Sequence, residues 1–286
     1  MVCSKIREIF RPVFFYLYPY RKNIVLKNLE LCYPGKPEEW RINILKEAYN
    51  NISIILFEIL YLKKLSEKDI REYIHYDYEE IFENAYNKGK GIILISAHYS
   101  NWELAAYGLR FLLGRPINIL VKHQSNSGVN NEINRIRELH GNKVIELGAS
   151  LRQMFSMIKN NELVCFVIDQ AADPRFSCFI DFFNVKTTAF NGPAKVALKY
   201  NSEILVGYMR RENDLKYTSE LYRLDYSDIN EYNEKNICEL TQRIQSAYEE
   251  VIRKDPSQWL WFHRRFKSIL KYDSEKNISY TDSLYR

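Results

Sequence analysis

Five short apolar runs, separated by stretches with helical spacing, constrain the fold of this chain more than any other feature. The runs are GIILISA, PINILV, KVIEL, ELVCFVI and EILVGYM, which begin at residues 91, 116, 143, 162 and 203. The intervening stretches NWELAAYGLRFLL, VNNEINRIREL, SLRQMFSMIKN and GPAKVALKY repeat apolar residues every three or four positions. Strands that are apolar on both faces and alternate with helices predict an α/β fold, with a largely parallel central sheet flanked by helices.

The residues before this alternating region have a helical pattern. Over residues 23–87 the apolar positions recur at helical spacing, and the clearest face lies within 38–65. Ser66 is placed to cap a short helix that follows, and a last amphipathic helix ends at Asp255-Pro256. We therefore predict a helical, membrane-proximal N-terminal region over 1–87, an α/β core over 88–272 and a polar tail over 273–286, together forming one compact domain.

Composition narrows the range of partners and compartments. The formal net charge of +5 is compatible with an anionic membrane surface or an acidic protein partner, and no nucleic-acid recognition module is present. We therefore expect no nucleic-acid binding. The five cysteines are scattered without a C-x-x-C pair, so we expect neither a disulfide framework nor a cysteine-based zinc site, and a reduced, cytosol-facing protein.

The N-terminal segment contains aromatic residues between cations but no transmembrane span. Its longest apolar run, VFFYLY at 13–18, is far shorter than the roughly 20 residues that cross a bilayer. Rings flanked by Lys and Arg suit a segment that lies in the membrane interface, and they suit equally an N-terminal helix packed on the domain. The aromatic and basic stretch around Trp259, Trp261 and Arg264-Arg265 leaves the same choice between a membrane contact and a buried lid.

His98 ends the first apolar run, at the carboxyl end of a predicted parallel strand, where α/β proteins bind their ligands. Glu103 follows five positions later, and the two side chains converge only if His98 is in the loop and Glu103 in the first helical turn. One interpretation is structural, with Ser100 as N-cap and Glu103 reaching back to it in a capping box. The other is chemical, with the carboxylate orienting the imidazole as a general base.

Other patterns define what kind of reaction such a base would serve. Neither a G-x-S-x-G elbow nor a local cysteine motif marks a nucleophile, so a bound substrate hydroxyl is the expected attacking group. Without H-E-x-x-H or a second nearby histidine we expect no metal. Asp169 also ends a predicted strand, as a site residue or as a turn cap. The cations of Asn134-Arg135-Ile136-Arg137 suit a phosphate or simply a solvated helix face.

Four ordered motifs together resemble the bacterial lipid A biosynthesis acyltransferases, within the wider glycerolipid acyltransferase group. They are His98-Tyr99-Ser100-Asn101-Trp102-Glu103, which matches the group's histidine, four residues and then an acidic residue, followed by IDQ at 168–170, DFFNVKTTAFNGPAKVAL at 181–198 and WFHRRFK at 261–267. The resemblance covers roughly residues 20–270. It departs from the family at Val121-Lys122-His123, where members often have Tyr-Arg-Pro, and at Asn184, where a glycine is usual.

The resemblance implies a role for each matching residue. His98 would be the general base on the acceptor hydroxyl, with Glu103 as its partner. Arg137 would bind an acceptor phosphate or the oxyanion, and Asp169 with Gln170 would support the active site. Asn101 and Trp102 would shape the motif. Asn101 and Lys122 are also expected to bind substrate, and Lys122 lies at a departure from the family, so its contact with the acceptor would differ from that of other members.

The same resemblance implies an O-acyltransferase at the cytoplasmic face of the bacterial inner membrane, bound peripherally. The donor would be an acyl thioester on acyl carrier protein or coenzyme A, and neither metal nor cofactor would be required. The expected acceptor is a lipid A precursor, with a phosphoinositide mannoside, a lysophospholipid or an aminolipid as alternatives. A non-catalytic lipid-binding relative and a thioesterase are the rival functions. We expect the acyl chain to lie in a groove formed by the helical N-terminal region.

Overall fold

The structure is a computed structural model that describes residues 19–121, 127–146, 151–174, 177–213, 216–268, 270–271, 279–280 and 282–285. The N-terminal interface segment predicted before residue 19 and most of the predicted polar tail lie outside these residues. The chain forms two compact units. The first comprises residues 1–54, 168–195 and 231–286, and the second comprises 55–167 and 196–230.

Between residues 91 and 167 the described strands and helices alternate as the sequence pattern predicts. The helices are α1 (Lys22–Cys32), α2 (Glu38–Tyr61), α3 (Glu67–Tyr73), α4 (Glu79–Tyr86), α5 (Trp102–Leu112), α6 (Ser127–Glu138), α7 (Leu151–Lys159), α8 (Gly192–Tyr200) and α9 (Glu234–Lys254). The strands are β1 (Ile74–Tyr76), β2 (Ile92–Ser96), β3 (Ile117–Val121), β4 (Lys143–Glu146), β5 (Leu163–Val167), β6 (Ser177–Phe182), β7 (Val185–Phe190), β8 (Glu203–Asn213), β9 (Lys216–Arg223), β10 (Leu270–Lys271) and β11 (Ser279–Tyr280).

The second unit is built on a seven-stranded sheet with the order β1-β9-β8-β2-β5-β3-β4. Neighbouring strands are parallel except β8 and β9, which form an antiparallel pair. Strand β2 lies in the middle, with Ile93 opposite Val164 on one side and Ile204 on the other. The predicted α/β class with a largely parallel sheet and flanking helices is confirmed, and all five apolar runs form strands of this sheet.

Burial explains why these strands read as continuous apolar runs. The first four residues of β2, β3 and β5 are buried, which requires apolar side chains on both faces. One apolar cluster joins these strands to α4 through Phe82, and another joins α3 to α5 through Ile70 and Tyr107. Gly91 precedes β2 with φ +70°, and a Cβ there would stand 2.5 Å from the carbonyl oxygen of Ile158. Only glycine fits this entry to the central strand.

Strand β1 corrects the prediction that residues 23–87 are entirely helical. Its three residues, 74–76, pair in parallel with β9, which is more than 140 positions later in the chain. A strand of three residues is too short to show a detectable alternation of apolar and polar residues. Its pairing partner is also distant in sequence. The helices around it confirm the predicted helical region. Ser66 is the N-cap of α3, and Ser66 and Asp69 form a complete capping box.

The first unit contains a hairpin of β6 and β7 that the apolar pattern does not predict. Phe182 pairs with Val185, so Phe183 and Asn184 form a two-residue loop, with φ of 54° and 60°. Two left-handed residues define a type I′ turn. Asparagine, the residue at position 184, is one of the few side chains that adopt this conformation readily.

A disulfide between Cys178 of β6 and Cys238 of α9 overturns the expectation that no disulfide is present. The two Cα atoms are 5.3 Å apart although 60 residues separate them in sequence. The absence of a C-x-x-C pair excludes only local pairings, so it carried no information about this one. Of the other cysteines in the described ranges, Cys32 and Cys165 are buried free thiols.

The aromatic residues near the C-terminus of the first unit are core residues. Trp259, Trp261 and Phe266 are buried, and the Arg265 guanidinium is buried among them with a hydrogen bond to the Thr188 carbonyl. The buried-lid interpretation is therefore correct for these tryptophans, and the membrane-contact interpretation is wrong. Within the described ranges, every helix is too short or too polar to cross a membrane.

Candidate active site

The site lies where β2 leads into α5, in the second unit. Ser100 has a left-handed backbone with φ 50°, and it turns the chain between the strand and the helix. Asn101 is the N-cap, because its Oδ1 accepts a hydrogen bond from the Leu104 amide at 2.9 Å. The predicted capping box, with Ser100 as N-cap and Glu103 bonded back to it, is wrong by one residue. The asparagine side chain takes the cap position, which leaves Glu103 available for other partners.

Glu103 forms a bidentate ion pair with Arg137 of α6. Arg137 Nε donates to Oε2 at 2.8 Å and Arg137 Nη2 donates to Oε1 at 2.5 Å. A third donor, Trp102 Nε1, lies 3.0 Å from Oε1, and Arg137 Nη1 also donates to Asn134 Oδ1 at 3.2 Å. Only 7% of the Glu103 side chain and 14% of the Arg137 side chain are exposed. The carboxylate is therefore fixed in position by charge-assisted hydrogen bonds.

His98 is half-buried and stacks edge-on against Trp102, with ring centroids 5.0 Å apart and planes at 72°. The Trp102 indole thus contacts the imidazole with its ring and the Glu103 carboxylate with its nitrogen. This arrangement brings His98, Trp102, Glu103 and Arg137 into one connected group. An imidazole that a tryptophan links to an anchored carboxylate is a candidate for taking a proton from a hydroxyl.

An apolar cavity that is partly open to solvent begins at this group. Trp102, Glu103 and Arg137 line it together with α5 and the strands β2, β3, β5, β8 and β9. The lining includes the aliphatic side chains of Leu94, Leu109, Ile117, Ile119, Val167 and Leu221. Cys165 also faces the cavity, and burial raises the pKa of its thiol to about 12, so it is protonated at neutral pH and unsuited to nucleophilic attack.

Glu58 of α2 is a second buried carboxylate, and it contacts the same turn. Asn101 Nδ2 donates to Glu58 Oε2 at 2.7 Å, and Arg211 donates to both Glu58 oxygens at 2.7 and 2.9 Å. The Tyr217 hydroxyl lies 2.6 Å from Oε1 and 2.7 Å from Oε2. Burial and the Glu58 charge raise the pKa of Tyr217, which keeps its hydroxyl protonated as a donor.

The sequence analysis did not include Glu58, Arg211 or Tyr217 among the site residues. One signal was available, because Glu58 interrupts the eleven-residue stretch ISIILFEILYL, which is otherwise apolar apart from Ser53. A carboxylate on a buried helix needs cationic or hydrogen-bonding partners, so its presence indicates a polar cluster. Which residues supply the partners depends on tertiary contacts that no local pattern contains.

The remaining predicted site residues lie elsewhere. Asp169 and Gln170 belong to the first unit, where Trp259 Nε1 donates to Asp169 Oδ2 at 2.8 Å and the Gln170 amide lies 3.1 Å from His263 Nε2. Lys122 lies outside the described residues. Over the described ranges, no group of three or more His, Cys, Asp or Glu side chains is placed to hold a metal ion.

His98 and Glu103 thus follow the central parallel strand β2 at its carboxyl end, where the acyltransferase motifs predict them, and Glu103 lines the apolar cavity. The chain belongs to the bacterial lipid A biosynthesis acyltransferase family, which it matches over residues 3–268. The predicted family is therefore confirmed, and with it the assignment as an O-acyltransferase of lipid A biosynthesis.

Three curated relatives illustrate this membership. The lipid A biosynthesis palmitoleoyltransferase of Escherichia coli K12 is 26% identical over 249 residues, which are 87% of this chain and 79% of that protein. A lipid A biosynthesis acyltransferase of Haemophilus influenzae is 25% identical over 257 residues, with 87% and 78% coverage. The lipid A biosynthesis lauroyltransferase of E. coli K12 is 24% identical over 250 residues, with 87% and 79% coverage.

Proposed function

We propose that this protein transfers a fatty acyl chain from an acyl thioester, on acyl carrier protein or coenzyme A, to a hydroxyl of a lipid A precursor. The observation that carries the proposal is the connected group of His98, Trp102, Glu103 and Arg137 beside an apolar cavity. The relatives named as palmitoleoyl- and lauroyltransferases support a fatty acyl chain as the transferred group.

In the proposed reaction His98 takes the proton of the acceptor hydroxyl as its oxygen attacks the thioester carbonyl. The C–O bond forms, the tetrahedral oxyanion collapses, the C–S bond breaks, and the leaving thiolate receives the proton from His98. Glu103 stabilises the imidazolium that forms in between. The reaction needs the thioester as co-substrate and no resident cofactor.

Arg137 takes a positioning role in this mechanism, in addition to the phosphate or oxyanion contact that the family resemblance implies. Its guanidinium has five N–H groups, and the bonds to Glu103 and Asn134 use three of them. A contact with substrate would therefore use the remaining donors, while the pair with Glu103 stays intact. Asn101, Lys122, Asp169 and Gln170 stay predicted as substrate-binding or supporting residues.

We place the acyl chain in the cavity between α5 and the sheet, rather than in a groove of the helical N-terminal region. The aliphatic lining suits a hydrocarbon chain, because burying each CH₂ group yields roughly 0.8 kcal/mol. The cavity also reaches Glu103 and Arg137, which brings the thioester carbonyl at the end of the chain toward the reacting groups. The enzyme would act at the cytoplasmic face of the inner membrane, bound peripherally to anionic lipid.

Purified wild-type protein and His98→Ala, incubated with acyl-carrier-protein and coenzyme A donors and a panel of lipid acceptors, test this proposal. Mass spectrometry of the lipids should show a lipid A precursor that has gained one acyl group with wild type only. Free fatty acid without an acylated lipid would indicate a thioesterase, and tight lipid binding without thioester turnover would indicate a binding protein. Another acylated lipid in the panel would keep the reaction and change the acceptor.

A further inference from the structure

We propose that Glu58 is a positioning residue for acyl transfer: through Asn101 it sets the place where α5 begins, and so the geometry between His98 and Glu103. The inference rests on the proposed function, since it concerns the geometry of the proposed general base. It assigns a function to a residue that lies 40 positions before His98 in the sequence.

The first step of the argument is that Glu58 is anchored rigidly. Its side chain is only 6% exposed, and that of Arg211 is 8% exposed. Arg211 of β8 binds both carboxylate oxygens, and Tyr217 of the neighbouring strand β9 donates to them as well. Two strands of the central sheet thus hold the carboxylate in place. A bidentate guanidinium fixes the direction of the carboxylate as well as its location.

The second step is that Asn101 transmits this position to the catalytic turn. Asn101 is fully buried and uses both ends of its amide: Oδ1 caps α5 at the Leu104 amide, while Nδ2 donates to Glu58 at 2.7 Å. Asparagine and aspartate are equally good N-caps, so capping alone does not require the amide nitrogen. The Nδ2 donor serves the bond to Glu58.

The third step is that the turn has a conformation which its surroundings must hold. Along the chain, His98 precedes Asn101 and Glu103 follows it, and the left-handed Ser100 lies between His98 and the cap. A left-handed non-glycine residue costs energy and persists only where its surroundings hold it. A shift of the cap would move Trp102 and Glu103 relative to His98. Misplacement by 1 Å is enough to cost about 10²-fold in rate.

The test reverses the polarity of the Asn101–Glu58 bond. Asn101→Asp keeps the cap but places two carboxylates together, and we expect kcat to fall at least 10-fold, with the KM for the donor within about twofold of wild type. Adding Glu58→Gln restores the net charge of the cluster and offers an amide donor to the new carboxylate, so kcat should recover in part. Recovery is incomplete because Arg211 Nη2 donates to the same Glu58 oxygen in wild type and would then face an N–H group. Glu203→Gln, which removes a buried carboxylate at the other end of β8, should leave kcat unchanged.

Two outcomes would overturn the proposal. One is a folded Asn101→Asp variant with wild-type kcat, and the other is a loss that Glu58→Gln does not recover, as a direct contact of Asn101 with substrate would produce. If Asn101→Asp fails to fold, the apolar pair Glu58→Met/Arg211→Met removes the acceptor without leaving a buried charge, and should show the same loss in kcat. A folded apolar pair with wild-type kcat would also refute the positioning role.

Failure of the proposed function gives a different result. Wild-type protein that transfers no acyl group, or His98→Ala that transfers as well as wild type, refutes the general base itself. An active wild type with an inactive His98→Ala, combined with a fully active apolar pair, refutes only the role of Glu58. Thermal unfolding of every variant separates loss of folding from loss of geometry.

Discussion

The two ends of the central sheet both bury a carboxylate against arginine, but they use it differently. At the amino end, Glu203 of β8 pairs with Arg223 and Lys88, whose side chains are 47% and 40% exposed. At the carboxyl end, Glu58 and Glu103 pair with arginines whose side chains are only 8% and 14% exposed, and they also bind Asn101 or Trp102 at the start of α5.

The comparison shows at which end of the sheet charged side chains are removed from water. A half-exposed ion pair contributes little, and it also restricts its partners little. A buried pair with several hydrogen bonds costs desolvation energy, and in return it fixes the geometry of its neighbours. The end of the sheet with the rigid pairs is the end that holds His98. We therefore expect substitutions at the carboxyl end to change activity, and those at the amino end to change only stability.

His98→Ala should give the largest effect. Removing the general base should lower kcat by about 10²- to 10⁴-fold while thermal unfolding stays near that of wild type, because the side chain is half-buried in a loop. Steady-state transfer assays with wild type alongside check this. If His98→Ala has activity within a few-fold of wild type, His98 is not the general base. The expected difference between the two ends of the sheet would then also be wrong.

Glu103→Gln should lower kcat by about 10- to 100-fold. The amide keeps the size of the side chain, but it cannot balance an imidazolium, and it leaves the Arg137 charge buried without its counterion. The matched control is Glu203→Gln, the same change at the amino end of the sheet. Equal losses of activity in the two variants would show that the effect comes from general destabilisation rather than from the site.

Gly207→Ala should shift the acyl-chain preference toward shorter donors. Gly207 lines the cavity, and a Cβ there would stand 3.1 Å from both Leu94 Cδ1 and Leu221 Cδ1. A change of this size in an apolar pocket should alter the kcat/KM ratio of long to short donors by about 10-fold. Competition between donors of different length measures the ratio.

The matched control for Gly207 is Gly108→Ala in α5. Its Cβ would meet Ile74 Cδ1 at 3.0 Å and Ile70 Cγ2 at 3.2 Å, a similar crowding by flexible side-chain ends away from the cavity lining. Its chain-length ratio should match that of wild type. The same ratio in both alanine variants and wild type would mean that the acyl chain does not reach Gly207.

Glu203→Gln should show the smallest effect. It should lower the free energy of unfolding, and only at pH values above the acidic range. Burial would raise the pKa of Glu203, but the hydrogen bonds from Arg223 and Lys88 outweigh it and lower the pKa below its ordinary value of 4.5. The unfolded chain therefore binds the proton first, so the contribution is present above pH 4.5 and is lost as the pH falls through the lower folded value.

We expect this contribution to be at most about 1 kcal/mol, because the two cations are half-exposed and screened by water. Urea unfolding of wild type and Glu203→Gln at pH 7 and near pH 4 measures it. The difference in free energy of unfolding should be larger at pH 7. A difference that grows toward pH 4 would contradict the sign of the pKa shift.

Sequence patterns predicted the elements that depend on local residues, and they missed the elements that depend on partners distant in sequence. The five apolar runs became strands, and Ser66 capped α3, because both depend on local chemistry. Strand β1 and the Cys178–Cys238 bond depend on partners far away in sequence. Arg137 was named as a site residue through the family resemblance, and it binds Glu103. The role of Glu58 could not be predicted, because Arg211 and Asn101 reach it only in the folded chain.

Photo-crosslinking tests most directly whether the acyl chain lies beside the carboxyl end of the sheet. A thioester donor with a photoreactive diazirine in its acyl chain, offered on acyl carrier protein and on coenzyme A, would be irradiated with the protein and the labelled peptides mapped. We predict labels in the strands and helix that line the cavity, within residues 94–121, 165–167 and 205–221. Labels concentrated in residues 22–54, with the cavity residues unmodified, would contradict this placement.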